Sequence, residues 1–231
     1  MALLDDVVAL IAPPRCAACA APAGRPGEVL CAACRRALPW LGDPRCTRCA
    51  LPLPHARMRC PAAGASFGCA WAVVAYAGVA RDALLALKFS AARPLADVMA
   101  AQIAAGAPPL LRPGVTLVAV PAHPRRRRAR GFDPAELITA ALARRSGLPR
   151  ERALRRGGGA SRQLGASRAA RREGAQLDFR ARGDPPEQVV LVDDVHTTGA
   201  TLDACAQALQ RAGCLQIAAI TWARTLDESL H

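Results

Sequence analysis

Short runs of β-branched and aliphatic residues alternate along this chain with longer stretches whose apolar positions recur every three or four residues. The short runs predict buried strands at 70–77, 115–120, 189–192 and 217–222. The periodic stretches predict helices at 81–89, where Leu84, Leu85 and Leu87 are apolar, and at 95–105, 134–146 and 202–212. Strands alternating with helices predict an α/β fold, a parallel sheet flanked by helices, with ligands at the carboxyl ends of the strands.

The front of the chain breaks this rhythm. Eight of its ten cysteines fall between Cys16 and Cys69, leaving only Cys205 and Cys214 beyond. That asymmetry predicts a small cysteine-rich domain, 1–69, followed by an α/β domain, 70–231. The segment starting Met1-Ala2-Leu3-Leu4-Asp5-Asp6 lacks the basic region of a secretory leader, and no apolar run is long enough to span a membrane. A cytoplasmic location is therefore expected, with peripheral membrane association left open, and the thiols read as metal ligands rather than disulfides. Cys16-x₂-Cys19 and Cys31-x₂-Cys34 have the spacing of a closed, structural Cys₄ zinc site. Cys46-x₂-Cys49 is followed by Cys60, but Ala63 stands where a regular ribbon would carry its fourth cysteine. Cys69 with a longer reach, or His55, would complete a second zinc site. The alternative is a degenerate ribbon held by packing of Leu51, Leu53 and Trp71.

Charge adds a partner class without naming the partner. The formal net charge is +13, and Lys88 is the only lysine among 31 basic residues. Such arginine excess, with abundant Ala, Gly and Pro, reflects codon bias as much as a binding surface. Each zinc with four thiolates carries a net −2, so one or two loaded sites bring the total to about +11 or +9. A basic protein suits polyanions. An aromatic content of 3% argues against extensive base stacking.

The most specific chemistry lies at the end of the third predicted strand. Val189, Val190, Leu191 and Val192 lead into Asp193 and Asp194, then Val195 and His196, then Thr197, Thr198, Gly199, Ala200 and Thr201 ahead of a helix. Backbone N–H groups of such a turn and the positive end of the helix suit a phosphate, and the paired carboxylates suit ribose hydroxyls beside it. Another strand end carries the basic segment 120–133, with Arg125, Arg126, Arg127, Arg128 and Arg130. Its charge fits a diphosphate, a nucleic-acid strand or plain solvent. The glycine-rich stretch 155–168 reads as a lid or as disorder.

The 189–202 segment closely resembles the motif with which type I phosphoribosyltransferases bind PRPP (5-phosphoribosyl 1-diphosphate). The resemblance assigns Asp193 and Asp194 to the ribose, as binding and catalytic residues, and Thr197, Thr198, Gly199, Ala200 and Thr201 to the 5-phosphate. It implies Mg²⁺ carried with PRPP, and places Arg125 and Arg130 beside the diphosphate. Lys88 is a further candidate for that diphosphate, as a compact point charge. Taken in order, the knuckles, Leu87-Lys88-Phe89, the Val-Pro-x-His-Pro-Arg loop with Arg130-Gly131-Phe132, Gln163-x₃-Ser167-Arg168 and the 189–202 motif resemble the ComF family. That family joins a double zinc ribbon to a phosphoribosyltransferase-like domain. Its members are implicated in natural competence and the handling of single-stranded DNA, with a DNA-translocating helicase as partner. The chain departs from the family pattern at Asp133-Pro134, where Asn-Gln is common, at Gly174 in place of Asn, and at Ala63 in place of the fourth cysteine. Two functions follow: a PRPP-binding competence factor, or an active phosphoribosyltransferase whose nucleophile the motif does not name.

Overall fold

The computed structural model describes residues 14–25, 27–54, 60–90, 92–157 and 177–226. His55, Gly174 and the glycine-rich stretch from Gly158 onward, with Gln163, Ser167 and Arg168, lie outside the described residues. In chain order the elements are α1 (Ala32–Arg36), β1 (Cys69–Ala75), α2 (Gly78–Phe89), α3 (Leu95–Gly106), β2 (Thr116–Ala119), α4 (Pro124–Arg130), α5 (Pro134–Ser146), β3 (Arg150–Glu151), β4 (Leu154–Arg156), β5 (Phe179–Ala181), β6 (Gln188–His196), α6 (Ala200–Arg211) and β7 (Gln216–Arg224). Five strands form a parallel sheet in the order β1-β7-β6-β2-β3, and β4 pairs antiparallel with β5 beside it.

The sheet's composition explains its two covered faces. Val190 and Val192 of β6, with Ile220 and Trp222 of β7, pack under α2, α3 and α5. The alternate residues Val189, Leu191, Ile217 and Ala219 pack under α6 and the paired strands β4 and β5. A fully parallel sheet needs both covers, because apolar residues line both faces of its strands. From β2 the chain moves outward to β3, and from β6 it moves the opposite way to β7. The carboxyl ends of β2 and β6 therefore flank a topological switch point, where such sheets hold ligands.

Several elements differ from the sequence pattern: the short strands β3, β4 and β5 are additions to it, and α2 opens at Gly78 rather than at 81. The strand expected at 189–192 continues through His196, because its ladder with β7 runs on: Asp193 opposes Thr221, Val195 opposes Ala223 and His196 opposes Arg224. Backbone pairing does not stop where side chains turn polar. The basic segment is a short helix, α4, rather than a loop. Pro124 opens it, His123 Nδ1 accepts from Arg125 N, and Gly131 closes it in the left-handed region at φ 76°. Finally, α6 begins at Ala200, two residues earlier than the apolar pattern.

The cysteine-rich segment shares both cores with the α/β body. Its residues around Trp40 lie along the free edge of β1: Leu41 N donates to Val73 O at 3.0 Å and Ala75 N to Pro39 O at 2.8 Å. Cys16, Leu30, Cys34 and Leu38 enter the core under α2, while Cys49, Leu51 and Phe67 enter the core beside α6.

Candidate functional site

Side chains alternate along a strand, so the two adjacent carboxylates leave the end of β6 on opposite sides. Asp194 follows Val190 and Val192 toward α2. There Lys88, in the last turn of α2, donates to Asp194 Oδ1 at 2.9 Å and lies 2.8 Å from Oδ2. Both side chains are largely buried, 19% and 10% exposed. The lone lysine thus serves as the internal counter-ion of the acidic pair.

Asp193 follows Val189 and Leu191 toward α6 and accepts from Asp194 N at 2.8 Å. Burial pushes its carboxyl well above the usual range, and the charge of Asp194 pushes the same way. Arg156 of β4, which the sequence assigned only to a lid, stands on this side. Its guanidinium lies over Phe179 at 5.0 Å. Burial disfavours its charge, while Asp193 is near enough to favour it. An arginine at the base of a glycine-rich stretch was the available signal.

Thr197, Thr198 and Gly199 turn from β6 into α6, and Ala200 and Thr201 start the helix. Gly199 sits at φ 85°, and a Cβ there would lie 2.9 Å from His196 Nε2. Conformation and space therefore both demand glycine. Thr197 and Thr198 are exposed, at the amino end of a twelve-residue helix.

His196 is 2% exposed, and its Nδ1 has no hydrogen-bond partner among the described residues. Burial, with the nearby Arg224 charge, holds its imidazole down at about 3. The neutral ring thus stabilises the fold fully above about pH 6.5, and that stability is lost as pH falls toward 3. Between pH 6 and 4 the wild type is expected to lose on the order of 1 kcal/mol per pH unit more than His196→Gln in urea melts. Equal slopes would refute the neutral, buried ring.

On the β2 side, Asp133 is 7% exposed and accepts from Ala122 N at 2.7 Å and Ala135 N at 3.1 Å. It caps α5 and pins the 120–123 loop, so the Asp at this position has a structural duty. Arg125, Arg126, Arg127 and Arg128 are exposed on α4. Arg130 lies over the ring of Phe89 at 5.1 Å. Lys88, Phe89, Arg126, Ala129, Arg130 and Phe132 line a cavity of about 250 Å³ that adjoins Asp194 through Lys88. A larger cavity, about 500 Å³, opens at the amino ends of β6 and β7, away from the carboxylates.

The cysteines form two clusters. Cys16, Cys19, Cys31 and Cys34 bring their sulfurs within 4.8 Å of one another, as do Cys46, Cys49 and Cys60. Cys69 is not among them; it opens β1 opposite Ala218. The Cys19–Cys31 and Cys46–Cys60 sulfurs are 3.8 Å apart, the separation of about 3.8 Å that a tetrahedral site with Zn–S bonds of about 2.3 Å requires. Burial opposes ionisation of Cys16 and Cys46. Backbone N–H groups of Cys31, Cys19 and Ala18, and of Cys49 and Arg48, nevertheless hold these thiols down at about 6 and about 7. Burial pushes the Cys34 and Cys49 thiols of the same clusters up, that of Cys49 to about 12. Sulfurs gathered at this separation fit zinc, which displaces the remaining thiol protons on binding, and the four cysteines of the first cluster make a closed, structural site.

The knuckles also repeat. Arg15-Cys16-x₂-Cys19-Ala20-x-Pro22 recurs thirty residues later as Arg45-Cys46-x₂-Cys49-Ala50-x-Pro52. Both copies bridge Arg to Pro, and both hold the alanine at φ 61°. Spacing of the cysteines alone did not reveal this repeat.

Residues 7–64 match the double zinc ribbon domain. The front of the chain is similar to a pair of zinc ribbons. Among solved structures, the allosteric regulatory enzyme of purine biosynthesis aligns with 55% of this chain at 22% identity and a TM-score of 0.36. The chain spans 25% of that protein's length. No protein of curated function matches the sequence significantly. No described helix is long and apolar enough to cross a membrane.

Proposed function

We propose that this chain binds PRPP with Mg²⁺ at the carboxyl end of β6, as a phosphoribosyltransferase-like protein of ComF type. The observation that carries this reading is the placement of Asp193, Asp194 and the Thr197–Thr198–Gly199 turn together at the switch point of the sheet. In this reading the turn and the amino end of α6 hold the 5-phosphate. Asp194, oriented by Lys88, accepts from the ribose hydroxyls. Asp193 ionises fully once positive charge arrives, either with Mg²⁺ or at an anomeric carbon losing its diphosphate. Arg126 and Arg130 flank the cavity beside Lys88 and are placed to take the diphosphate. Lys88 is already engaged by Asp194, so its duty is to hold that carboxylate rather than to meet the leaving group alone.

Binding is the core of the proposal, and transfer to a nucleophile is its extension. Calorimetry is expected to show Mg²⁺-dependent binding of PRPP, and saturation to raise the melting temperature by several degrees. A hundredfold excess over Kd is worth about 2.7 kcal/mol. An unchanged melting temperature at millimolar PRPP would remove binding and transfer together. Diphosphate release in the presence of a candidate nucleophile would establish the enzyme.

A second reading, contact with single-stranded DNA in natural competence alongside a helicase, draws on α4. Four consecutive exposed arginines ring α4, and of its residues Arg126 and Arg130 share a cavity with Phe89, whose ring is 72% exposed. Neutralising about four phosphates gives a log–log salt slope near −3. Replacing Arg125, Arg126, Arg127 and Arg128 by alanine is expected to abolish most of that slope in fluorescence anisotropy. Undiminished DNA binding in that variant would take α4 out of the account.

A further inference from the structure

Arg224 ends β7 and is 3% exposed, deep between the ribbon and the turn that follows β6. Its Nε donates to the carbonyl of Cys49 at 2.9 Å. Its Nη1 donates to the carbonyls of His196 and Thr225, each at 2.9 Å, and to that of Thr197. One planar guanidinium therefore joins the backbone of a zinc-cluster cysteine to the first residue of the phosphate turn. A guanidinium fixes its donors in a rigid fork, so a shift at one carbonyl must be felt at the other.

Further contacts brace the same two parts. Phe67, just past the ribbon, meets the His196 ring edge-on at 6.2 Å between centroids. Ser66 N donates to Asp203 Oδ1 at 2.7 Å in the first turn of α6, and Gln210 Nε2 donates to Ser66 O at 2.8 Å in its last. His196 in turn fills the space that a side chain at Gly199 would need. The turn is thus supported by the second knuckle through Arg224, and by Phe67 through His196.

We propose that Arg224 is the positioning residue of the phosphate turn and couples it to the second zinc cluster, so that zinc at Cys46, Cys49 and Cys60 and a phosphate at Thr197, Thr198 and Gly199 strengthen one another's binding. This rests on the phosphate reading of the turn given above. Zinc fixes the Cys49 backbone, Arg224 carries that constraint to Thr197, and the turn is held open to the anion. Without the metal the knuckle carbonyl is free to move, and the turn loses its support. Coupling of this kind is reciprocal: whatever factor zinc contributes to phosphate affinity, phosphate must contribute to zinc affinity.

The test uses the full zinc-loaded chain and ribose 5-phosphate, which has the 5-phosphate but lacks the metal-binding diphosphate. Zinc is withdrawn to equilibrium with a chromogenic chelator, with and without ribose 5-phosphate, and calorimetry records sugar-phosphate binding in parallel. Saturating ribose 5-phosphate is expected to raise the chelator concentration needed to remove one zinc by about fivefold or more, the lower end of ordinary coupling. It should leave the other zinc unaffected. In Arg224→Lys, which keeps the charge but loses the fork, that shift is expected to vanish. Ribose 5-phosphate binding without a shift in the wild type overturns the coupling and leaves the phosphate reading standing. No calorimetric binding overturns the phosphate reading, and the coupling with it. The wild-type comparison decides the coupling itself even where Arg224→Lys does not fold, and circular dichroism after release of that one zinc, expected to show a folded body, separates it from global unfolding.

Discussion

Stripping zinc from this protein with a strong chelator is expected to unfold the α/β body together with the ribbons. Structural zinc sites contribute about 10–16 kcal/mol of apparent binding free energy at neutral pH, comparable with the roughly 5–15 kcal/mol net stability of a domain. The ribbons are not an appendage whose loss the sheet would ignore. Leu30, Cys34 and Leu38 complete the core under α2, and Leu51 and Phe67 complete the core beside α6. Their departure would expose both faces of β1 and free its edge carbonyls. Circular dichroism during chelator titration, with metal content followed by emission spectroscopy, is the check. A cooperative melting transition surviving in the zinc-free chain would refute it. Cys16→Ser should release one zinc and lower the melting temperature by about 10 °C or more, since about 1 kcal/mol is worth 2–4 °C in a chain of this size.

Asp194→Ala is expected to have the largest effect on ligand binding, and a separable effect on stability. It leaves the Lys88 ammonium, 19% exposed, without the carboxylate 2.8 Å away. Removing one partner of a largely buried pair costs about 3–5 kcal/mol. Lys88→Met combined with Asp194→Leu should recover most of that loss, because neither charge then remains unpaired. PRPP binding should not recover. Each charge-assisted hydrogen bond lost to the ribose is worth about 1.5–3 kcal/mol, so one or two bonds correspond to about 10- to 10⁴-fold in Kd. Urea melts and calorimetry on the single and double variants separate the two effects. Full PRPP affinity in the stable double variant would remove Asp194 from the binding site.

The acidic pair and the glycine turn were legible in the sequence because adjacent carboxylates between an apolar run and Thr-Thr-Gly occupy consecutive positions, and consecutive positions stay together in any fold. The strand's length was not legible. Its last four residues, Asp193, Asp194, Val195 and His196, are held by pairing with Thr221, Ala223 and Arg224, which lie about thirty residues away. For the same reason the pair read as one patch, whereas the strand sends its members to Lys88 on one side and toward Arg156 on the other. Cysteine spacing anticipated the gathering of Cys16, Cys19, Cys31 and Cys34. It overreached at Cys69, which sheet pairing draws into β1.

By itself the sequence determined the α/β pattern, the zinc-binding front and the local chemistry of the 193–201 turn, since each rests on periodicity or on ligands close along the chain. Only the tertiary structure decided which charges meet. Lys88 reaches Asp194 across 106 positions, and Arg224 reaches Cys49 across 175. Such partners are selected by burial, where an unsatisfied charge or carbonyl is costly and geometry admits few donors. No local pattern records that selection, because it is made only when the sheet, the helices and the ribbons close on one another.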